Sequence, residues 1–198
     1  MKRIFSYILI LSLFCSCKKE YIVKDDKVYL KGWNEGVGEY EYIVRGADFK
    51  TFENLDYEDV NCTFGKDKFN VYMDGKIVPQ SDPKTFKYIG DYFFRDKNAI
   101  YFFGFYSSEK DWRIDSIIPS KFKIIKYPWA TDGNSLIWGS RTLHLKDLET
   151  FKPINENWGK TKNEIIREAK ILKTVDYNSF EVIDEYNAKD KNGEIKEY

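Results

Sequence analysis

Histidine and cysteine, on which most metal centres and many catalytic sites depend, are scarce in this sequence. The chain of 198 residues has one histidine and three cysteines. A metal centre or a catalytic triad needs partners at definite positions. The sequence has no zinc-type spacing, glycine-rich phosphate loop or Gly-x-Ser-x-Gly motif. We therefore expect His144 to be an ordinary surface residue, and the protein to use no metal and no cofactor.

An excess of positive charge is also missing. The 32 basic and 32 acidic residues give a formal net charge of zero. Without Lys2 and Arg3, which belong to the expected signal peptide, the balance becomes slightly acidic. Binding nucleic acid through its phosphates requires a net basic face. Nucleic acid is therefore not expected as a partner.

No apolar segment is long enough to cross a bilayer as a helix, which takes roughly 20 residues. Residues 4–14 are apolar apart from two serines and follow a basic start, which is typical of a secretory signal peptide. The segment ends at Ser16-Cys17, which resembles the lipobox of bacterial lipoproteins. The sequence therefore predicts a signal peptide over residues 1–16 and acylation of Cys17. An ordinary signal peptide with incidental cysteines is the alternative.

Acylation of Cys17 would anchor the exported protein to the bacterial cell envelope, and we expect the outer membrane. Residues 17–24 are predicted to be a lipidated tether, and residues 25–198 a single folded domain. Cys15 leaves with the signal peptide, so Cys62 is the one free thiol of the mature chain and no intramolecular disulfide can form. We expect Cys62 to be a small buried residue in a strand.

The sequence does contain a repeat with a period of about 29 residues. A shift of 29 places Asp67-Lys68 on Asp96-Lys97, and Thr161-Lys162-Asn163 on Asp190-Lys191-Asn192. A second pattern runs from Asp to Phe and recurs in four segments: Asp48–Phe52, Asp82–Phe86, Asp147–Phe151 and Asp176–Phe180. A fixed period near 30 indicates an array of supersecondary units.

Each copy is predicted to be a meander of three or four short strands. Asp74-Gly75 separates two apolar segments and is typical of a type I′ hairpin turn. The aromatic content of 18% favours strands. The sequence therefore predicts an all-β domain of tandem antiparallel hairpin or meander repeats. Both an open array and a closed, propeller-like arrangement are compatible with this pattern.

Two segments depart from the repeat. Residues 104–117 contain an insertion of seven residues, which we expect to be an exposed loop. Thr161 and Glu164 have the spacing of a helix capping box, whereas the alignment of residues 161–180 with residues 67–86 favours strands. We expect strands over residues 161–172, with a helix as the alternative.

The aspartates that recur at the turns are the first candidates for a site: Asp67, Asp96, Asp132 and Asp190. A series of carboxylates could bind calcium or sugar. Asp side chains also accept hydrogen bonds from the backbone two residues on and so define turns. Thr161 replaces the aspartate in one copy and is a poor calcium ligand. We therefore expect these aspartates to be structural.

Two tryptophans are candidates for partner binding. Trp112 lies in the inserted loop, and Trp129 follows a proline near a turn. We expect both at the surface, where an aromatic ring can contact a protein or a glycan. Trp138 and Trp158 occupy strand-like positions and are expected in the core.

The Asp-Lys-Asn and Tyr pattern is carried by Asp96–Tyr101 and Asp67–Tyr72, with degenerate copies at Asp132, Thr161 and Asp190. It resembles the DKNYY family of bacterial repeat proteins over about residues 25–198. Members of that family are commonly secreted or lipid-anchored. The resemblance implies a repeat architecture and an exported location, and it implies no catalytic residue.

These observations together predict a non-enzymatic lipoprotein of the cell envelope with a binding or structural role. Its expected contacts are the membrane, through the lipid, and a protein or glycan partner. A glycan-active enzyme with two carboxylates about 5–9.5 Å apart in a cleft is one alternative. A periplasmic immunity or inhibitor protein is another.

Overall fold

The computed structural model describes residues 19–57 and 59–195. The predicted signal peptide over residues 1–16 and the predicted lipidation site Cys17 lie outside these residues.

The described chain forms six small antiparallel sheets, each a meander in which every strand pairs with its neighbours in sequence. Sheet A contains β1 (Glu20–Lys24), β2 (Lys27–Asn34) and β3 (Gly38–Ile43). Sheet B contains β4 (Glu53–Leu55), β5 (Phe64–Lys66), β6 (Val71–Met73) and β7 (Lys76–Ile77). Sheet C contains β8 (Lys87–Gly90), β9 (Phe93–Arg95), β10 (Ile100–Phe102) and β11 (Arg113–Ile114).

The remaining sheets repeat the arrangement. Sheet D contains β12 (Lys123–Lys126), β13 (Trp129–Thr131), β14 (Leu136–Trp138) and β15 (Arg141–Leu143). Sheet E contains β16 (Lys152–Pro153), β17 (Trp158–Lys160), β18 (Ile165–Arg167) and β19 (Lys170–Ile171). Sheet F contains β20 (Glu181–Val182), β21 (Ala188–Asp190) and β22 (Gly193–Glu194). Three single-turn 3₁₀ helices lie at Glu109–Asp111, Pro119–Lys121 and Leu148–Thr150. None of the helices in residues 19–57 and 59–195 is long and apolar enough to cross a bilayer.

The core is divided into five clusters, and each cluster joins two sheets that follow one another in sequence. In β6, Val71 and Met73 pack toward sheet C, whereas Tyr72 packs toward sheet A. In β10, Tyr101 packs toward sheet B, and Ile100 toward sheet D. Successive side chains of a strand point to opposite faces, so each of sheets B to E buries one face against the preceding sheet and the other against the next.

The all-β repeat fold predicted from the sequence is confirmed, including strands over residues 165–171. The Asp74-Gly75 turn joins β6 to β7 with positive φ at both residues, 48° and 81°, as a type I′ turn requires. The misleading capping pattern at Thr161 has a physical origin. Its Oγ1 accepts hydrogen bonds from the N–H groups of Asn163 (3.2 Å) and Glu164 (3.0 Å). A helix N-cap makes the same kind of bond, but here the chain turns into β18.

Three local predictions were wrong. The tether expected over residues 17–24 is strand β1 from Glu20 onward, and the Tyr21 side chain is only 5% exposed. The loop expected over residues 104–117 supplies β11, whose Ile114 pairs with Ile100. Cys62 is half-buried and precedes β5 rather than lying in a strand.

Candidate functional site

The Asp-Lys-Asn turn is held by one buried carboxylate. Asp96 Oδ1 accepts hydrogen bonds from the N–H groups of Asn98 (2.7 Å) and Ala99 (2.8 Å), closing the turn between β9 and β10. Asp96 Oδ2 accepts from the N–H of Asp82 (2.7 Å) and from the hydroxyl of Tyr101 (2.9 Å). The aspartate therefore ties the turn to the loop that leads into the same sheet.

That loop begins with a second carboxylate, which reaches back to the turn. Asp82 Oδ1 accepts from the hydroxyl of Thr85 (2.8 Å), and Asp82 Oδ2 forms an ion pair with Lys97 Nζ (2.6 Å). The Thr85 hydroxyl in turn accepts a hydrogen bond from the Lys97 N–H (3.1 Å). The Asp-Lys-Asn pattern lies in the turn and the Asp-to-Phe pattern in the loop. The two sequence patterns of the repeat therefore form the two sides of one hydrogen-bonded connection.

The connection recurs in three other sheets, with Thr161 in place of the first aspartate in sheet E and Ser179 in place of the threonine in sheet F. Its members are Asp67, Asp48, Thr51 and Lys68 in sheet B, Thr161, Asp147, Thr150 and Lys162 in sheet E, and Asp190, Asp176, Ser179 and Lys191 in sheet F. In sheet D, Asp132 accepts from the N–H groups of Ile118, Asn134 and Ser135 at 2.8–2.9 Å.

The electrostatics of these aspartates agree with a structural role. The ion pair with Lys97 lowers the pKa of Asp82, and the pair with Lys191 lowers the pKa of Asp176 to about 2. Burial raises the pKa of Asp132, but its three backbone donors outweigh that effect and the pKa is lowered. In the described part of the chain, no three His, Cys, Asp or Glu side chains are grouped so that they could hold a metal ion.

Trp112 and Trp129 do not lie at the surface, contrary to the sequence prediction. Trp112 is 5% exposed and packs against Phe103, with ring centroids 5.3 Å apart. Trp129 is fully buried between sheets D and E, and its Nε1 donates to the carbonyl oxygen of Asn155 (2.8 Å). Neither ring is available to a partner, because the insertion and the turn that carry them fold into the core.

The single histidine and the free thiol do not form a reactive pair. His144 is exposed, and its Nδ1 lies 3.2 Å from the hydroxyl of Ser135, which is buried in the Asp132 turn. Burial raises the pKa of Cys62 to about 11, with the carboxylate of Asp74 adding to the effect. Cys62 is therefore a protonated thiol at neutral pH, and only a thiolate is nucleophilic.

A basic groove of about 640 Å³ runs along the ends of sheets D, E and F. Four cationic side chains line it: Arg141, Arg167, Lys170 and Lys173. Among the lining residues that the structure describes, Glu168 is the one acidic residue, and Arg141 Nη1 forms an ion pair with it at 2.9 Å. The apolar part of the lining includes Ile171, Leu172, Val175 and Ile195. Cationic side chains beside an apolar lining suit a ligand that carries an anionic group on a less polar framework.

The groove has no sequence signature. Its cations come from β15 of sheet D, from β18 and β19 of sheet E, and from the loop that follows β19. The guanidinium of Arg141 lies 5.3 Å from the ring centroid of Trp138, and that of Arg167 lies 4.9 Å from the ring centroid of Trp158. Trp138 pairs with Arg141, and Trp158 with Arg167, across adjacent strands of the same sheet, so the strand register of sheets D and E orients two of the cations.

The outer face of sheet A is a second unassigned surface. Ile22, Tyr29 and Ile43 pair across the three strands and form one row on this face, opposite the buried Val28 and Leu30. Ile43 lies 29 residues, one period of the repeat, before Tyr72. Ile43 therefore occupies in sheet A the position that Tyr72 occupies in sheet B. The row equivalent in sheet C packs against the preceding sheet.

The fold defines a class of protein, a β-repeat array in which each described sheet packs on its neighbours in sequence. The chain belongs to the DKNYY family, whose model matches residues 21–194. No curated protein and no solved structure is significantly similar to this chain.

Proposed function

We propose that the protein is a non-enzymatic lipoprotein of the bacterial cell envelope that holds an anionic group of a glycan or protein partner in the basic groove. One observation carries this proposal. Within residues 19–57 and 59–195, the side chains of Arg141, Arg167, Lys170 and Lys173 line a cavity that has one carboxylate, in a protein whose overall charge is balanced. A local excess of cations attracts anionic ligands and orients them.

Glycoside hydrolysis is less well supported than binding. Retaining and inverting mechanisms both need two carboxyl groups about 5–9.5 Å apart. Among the described residues that line the basic groove, Glu168 is the only carboxylate, and it forms an ion pair with Arg141. A second hollow between sheets C and D, of about 550 Å³, is lined by Asp96, whose carboxylate already accepts four hydrogen bonds.

The membrane anchor is proposed at Cys17, and with it a location in the outer membrane. Only Lys18 and Lys19 separate this residue from the start of β1 at Glu20, so acylation would hold sheet A next to the bilayer. Cys17→Ser should abolish acyl labelling and release the protein from the membrane fraction. Unchanged labelling of this variant would rule out Cys17 as the lipidation site.

The groove is tested by direct binding of an acidic and a neutral oligosaccharide. We expect a galacturonic acid hexamer to bind in calorimetry and a cellulose hexamer not to bind. The double variant Arg141→Gln, Lys173→Glu should lose the binding. The control Lys123→Glu, which changes an exposed lysine of β12 that does not line the groove, should keep it.

A protein partner is tested with the same two variants in a pull-down from native envelopes. A partner captured by wild type and by Lys123→Glu, but not by the groove variant, supports the proposal. Equal results for both variants in the binding assay and in the pull-down would contradict it. Hydrolysis of the acidic oligosaccharide that Glu168→Gln abolishes would show instead that the groove is catalytic.

A further inference from the structure

The hollow between sheets C and D has an excess of cationic side chains. Four of them line this C–D hollow, whose volume is about 550 Å³: Lys84, Lys87, Arg95 and Lys97. Asp96 is the one carboxylate among its described lining residues, and its oxygens already accept four hydrogen bonds. Lys97 forms an ion pair with Asp82. Lys84, Lys87 and Arg95 form no ion pair with any described residue, so three cations of the hollow lack a carboxylate partner.

Two of these cations lie directly opposite each other in sheet C. Lys87 of β8 and Arg95 of β9 are partners in the strand register, and the Arg95 side chain is half-buried. Like charges on facing positions of neighbouring strands destabilise a sheet. Arg95 also pairs with Ile100, which packs toward sheet D. Sheet C therefore carries a charge repulsion on the face that borders the hollow.

The same register position carries an ion pair in two other sheets. In sheet B the partners are Glu53 and Lys66, and their charged groups lie 3.5 Å apart. In sheet F they are Glu181 and Lys189, at 3.0 Å. Lys87 thus replaces the acidic member of the pair. The carboxylate that neutralises this position elsewhere in the array is absent from the C–D hollow among the described residues.

Sheet E provides an internal comparison. Lys152 and Lys160 are partners at the same register position. Both side chains are exposed, and neither lines the C–D hollow, so water and salt screen their charges. Lys87 and Arg95 instead border a hollow whose size is that of a small-molecule site. Sheet E is therefore a control for like charges without a hollow.

We propose that the C–D hollow binds a phosphate monoester, with Lys87 and Arg95 on its phosphate group. Such a group carries a charge of about −1.5 to −2 at neutral pH and has three acceptor oxygens. A guanidinium can donate two parallel hydrogen bonds to it, and Lys84 adds a further positive charge. A carboxylate has one charge and two oxygens, so it would neutralise less of the excess. Ser120, from the loop before β12, lines the same hollow, so the ligand would contact both units.

The C–D hollow is separate from the basic groove. No residue lines both of them. The hollow lies beside the Asp96 turn, whereas the groove lies beside the turn between β18 and β19. The groove variant Arg141→Gln, Lys173→Glu should therefore bind a phosphate monoester as wild type does.

The proposal is tested by calorimetry of the full-length protein with two matched sugars. Glucose 6-phosphate should bind about tenfold or more tightly than glucuronate, which has a carboxylate in place of the phosphate-bearing carbon. The double variant Lys87→Gln, Arg95→Gln should lose this binding, and the control Lys152→Gln, Lys160→Gln should keep it. Equal affinities for the two sugars, equal effects of the two double variants, or no binding to wild type would overturn the proposal.

Free phosphate, a sugar phosphate and a lipid headgroup share this chemistry, and two further measurements distinguish them. Inorganic phosphate that binds as tightly as glucose 6-phosphate would identify the free ion as sufficient. Vesicles of phosphatidylcholine, with and without phosphatidic acid, test the lipid source by flotation. Flotation that requires phosphatidic acid and is lost in Lys87→Gln, Arg95→Gln would identify a lipid headgroup as the ligand.

A single charge reversal separates loss of binding from loss of folding. Lys87→Glu recreates the acidic and basic pair of sheet B. It should abolish the binding of glucose 6-phosphate and raise the melting temperature by about 1–2 °C, because it removes the repulsion with Arg95. Lys152→Glu in sheet E is the matched control and should keep the binding. Binding retained by Lys87→Glu would contradict the proposed site.

Discussion

At the scale of single residues, the aspartates of the repeat act as organisers of the backbone. The Asp96 carboxylate satisfies three backbone N–H groups and one buried tyrosine hydroxyl. A buried N–H or O–H donor without an acceptor lowers the stability of the folded state. The Asp96 carboxylate should therefore contribute more to stability than the neighbouring Asp82, which forms an ion pair with Lys97. Thr161 keeps only the two bonds that close its turn, which explains how a hydroxyl can replace the aspartate.

Asp96→Ala should therefore lower the free energy of unfolding by about 3 kcal/mol, because it leaves several buried donors unpaired. Asp96→Thr should cost less, because the hydroxyl can still close the turn. Lys97→Ala removes an exposed ion pair with Asp82, which water and salt screen, and should cost much less than Asp96→Ala. Urea unfolding measures all three.

Equal losses for Asp96→Ala and Lys97→Ala would contradict this account of the turn. The calcium interpretation predicts a different result. If calcium raised the melting temperature of wild type and EDTA reversed the effect, the carboxylate would be a metal ligand. We expect neither reagent to change the melting temperature.

The second carboxylate of the connection makes stability depend on acid pH. The ion pair with Lys191 lowers the pKa of Asp176 to about 2, below the value near 3.9 of an unfolded chain. The folded state thus binds fewer protons than the unfolded state between these two values. The stabilisation is complete above about pH 4 and is lost as the pH falls toward 2.

Melting temperatures between pH 7 and pH 2 test this dependence. Wild type should lose stability mainly below pH 4, and Asp176→Asn should show a shallower fall over that window. High salt should also flatten the wild-type curve, because it screens the ion pair. A main loss of stability between pH 7 and pH 5 would contradict the assignment.

At the scale of elements, each sheet accommodates the phenylalanine that ends its leading loop. The Phe151 ring lies directly over Gly159 of β17 and leaves no room there for a side chain. A Cβ built at this position lies 2.5 Å from Phe151 Cε2. In sheet B, Gly65 lies under the ring of Phe52 in the same way. In sheet C the residue equivalent to Gly65 is Phe94, whose ring stacks on that of Phe86 with the centroids 5.3 Å apart. The loop and the sheet are therefore fitted to each other unit by unit.

Gly159→Ala should destabilise the protein by about 1–3 kcal/mol, because overpacking forces the Phe151 ring to move. Gly36→Ala is the control, since its nearest neighbour would be Asn34 Oδ1 at 3.4 Å. Phe151→Leu should recover part of the loss when combined with Gly159→Ala. A neutral Gly159→Ala in thermal unfolding would show that the loop does not pack as described.

The sequence was informative about elements wherever the repeat was regular. The period of 29 residues and the Asp74-Gly75 turn were sufficient to predict the meanders, and to favour strands over the helix that the capping pattern at Thr161 suggests. Exposure was harder to predict. Trp112 was placed in a loop because its segment is an insertion, but that insertion supplies the fourth strand of sheet C.

At the scale of the whole molecule, the sheets form a chain of nearest neighbours. None of the five buried clusters of the described residues joins sheet A to sheet F. The basic groove and the outer face of sheet A could not be predicted from the sequence, because both depend on how the sheets stack. The basic groove gathers cations from separate units, and the apolar face of sheet A exists because no described unit precedes it.

Nearest-neighbour stacking makes stability local, as in other repeat arrays. Hydrogen exchange of the variant Ile165→Asp, read peptide by peptide, tests this most directly. Ile165 is 2% exposed and packs between sheets E and F. We predict that amide protection falls in residues 158–195 and is unchanged in residues 20–77, with Ile183→Asp, at a position that is 51% exposed, as the silent control. Equal loss of protection in sheet A would contradict the linear array and indicate a closed ring.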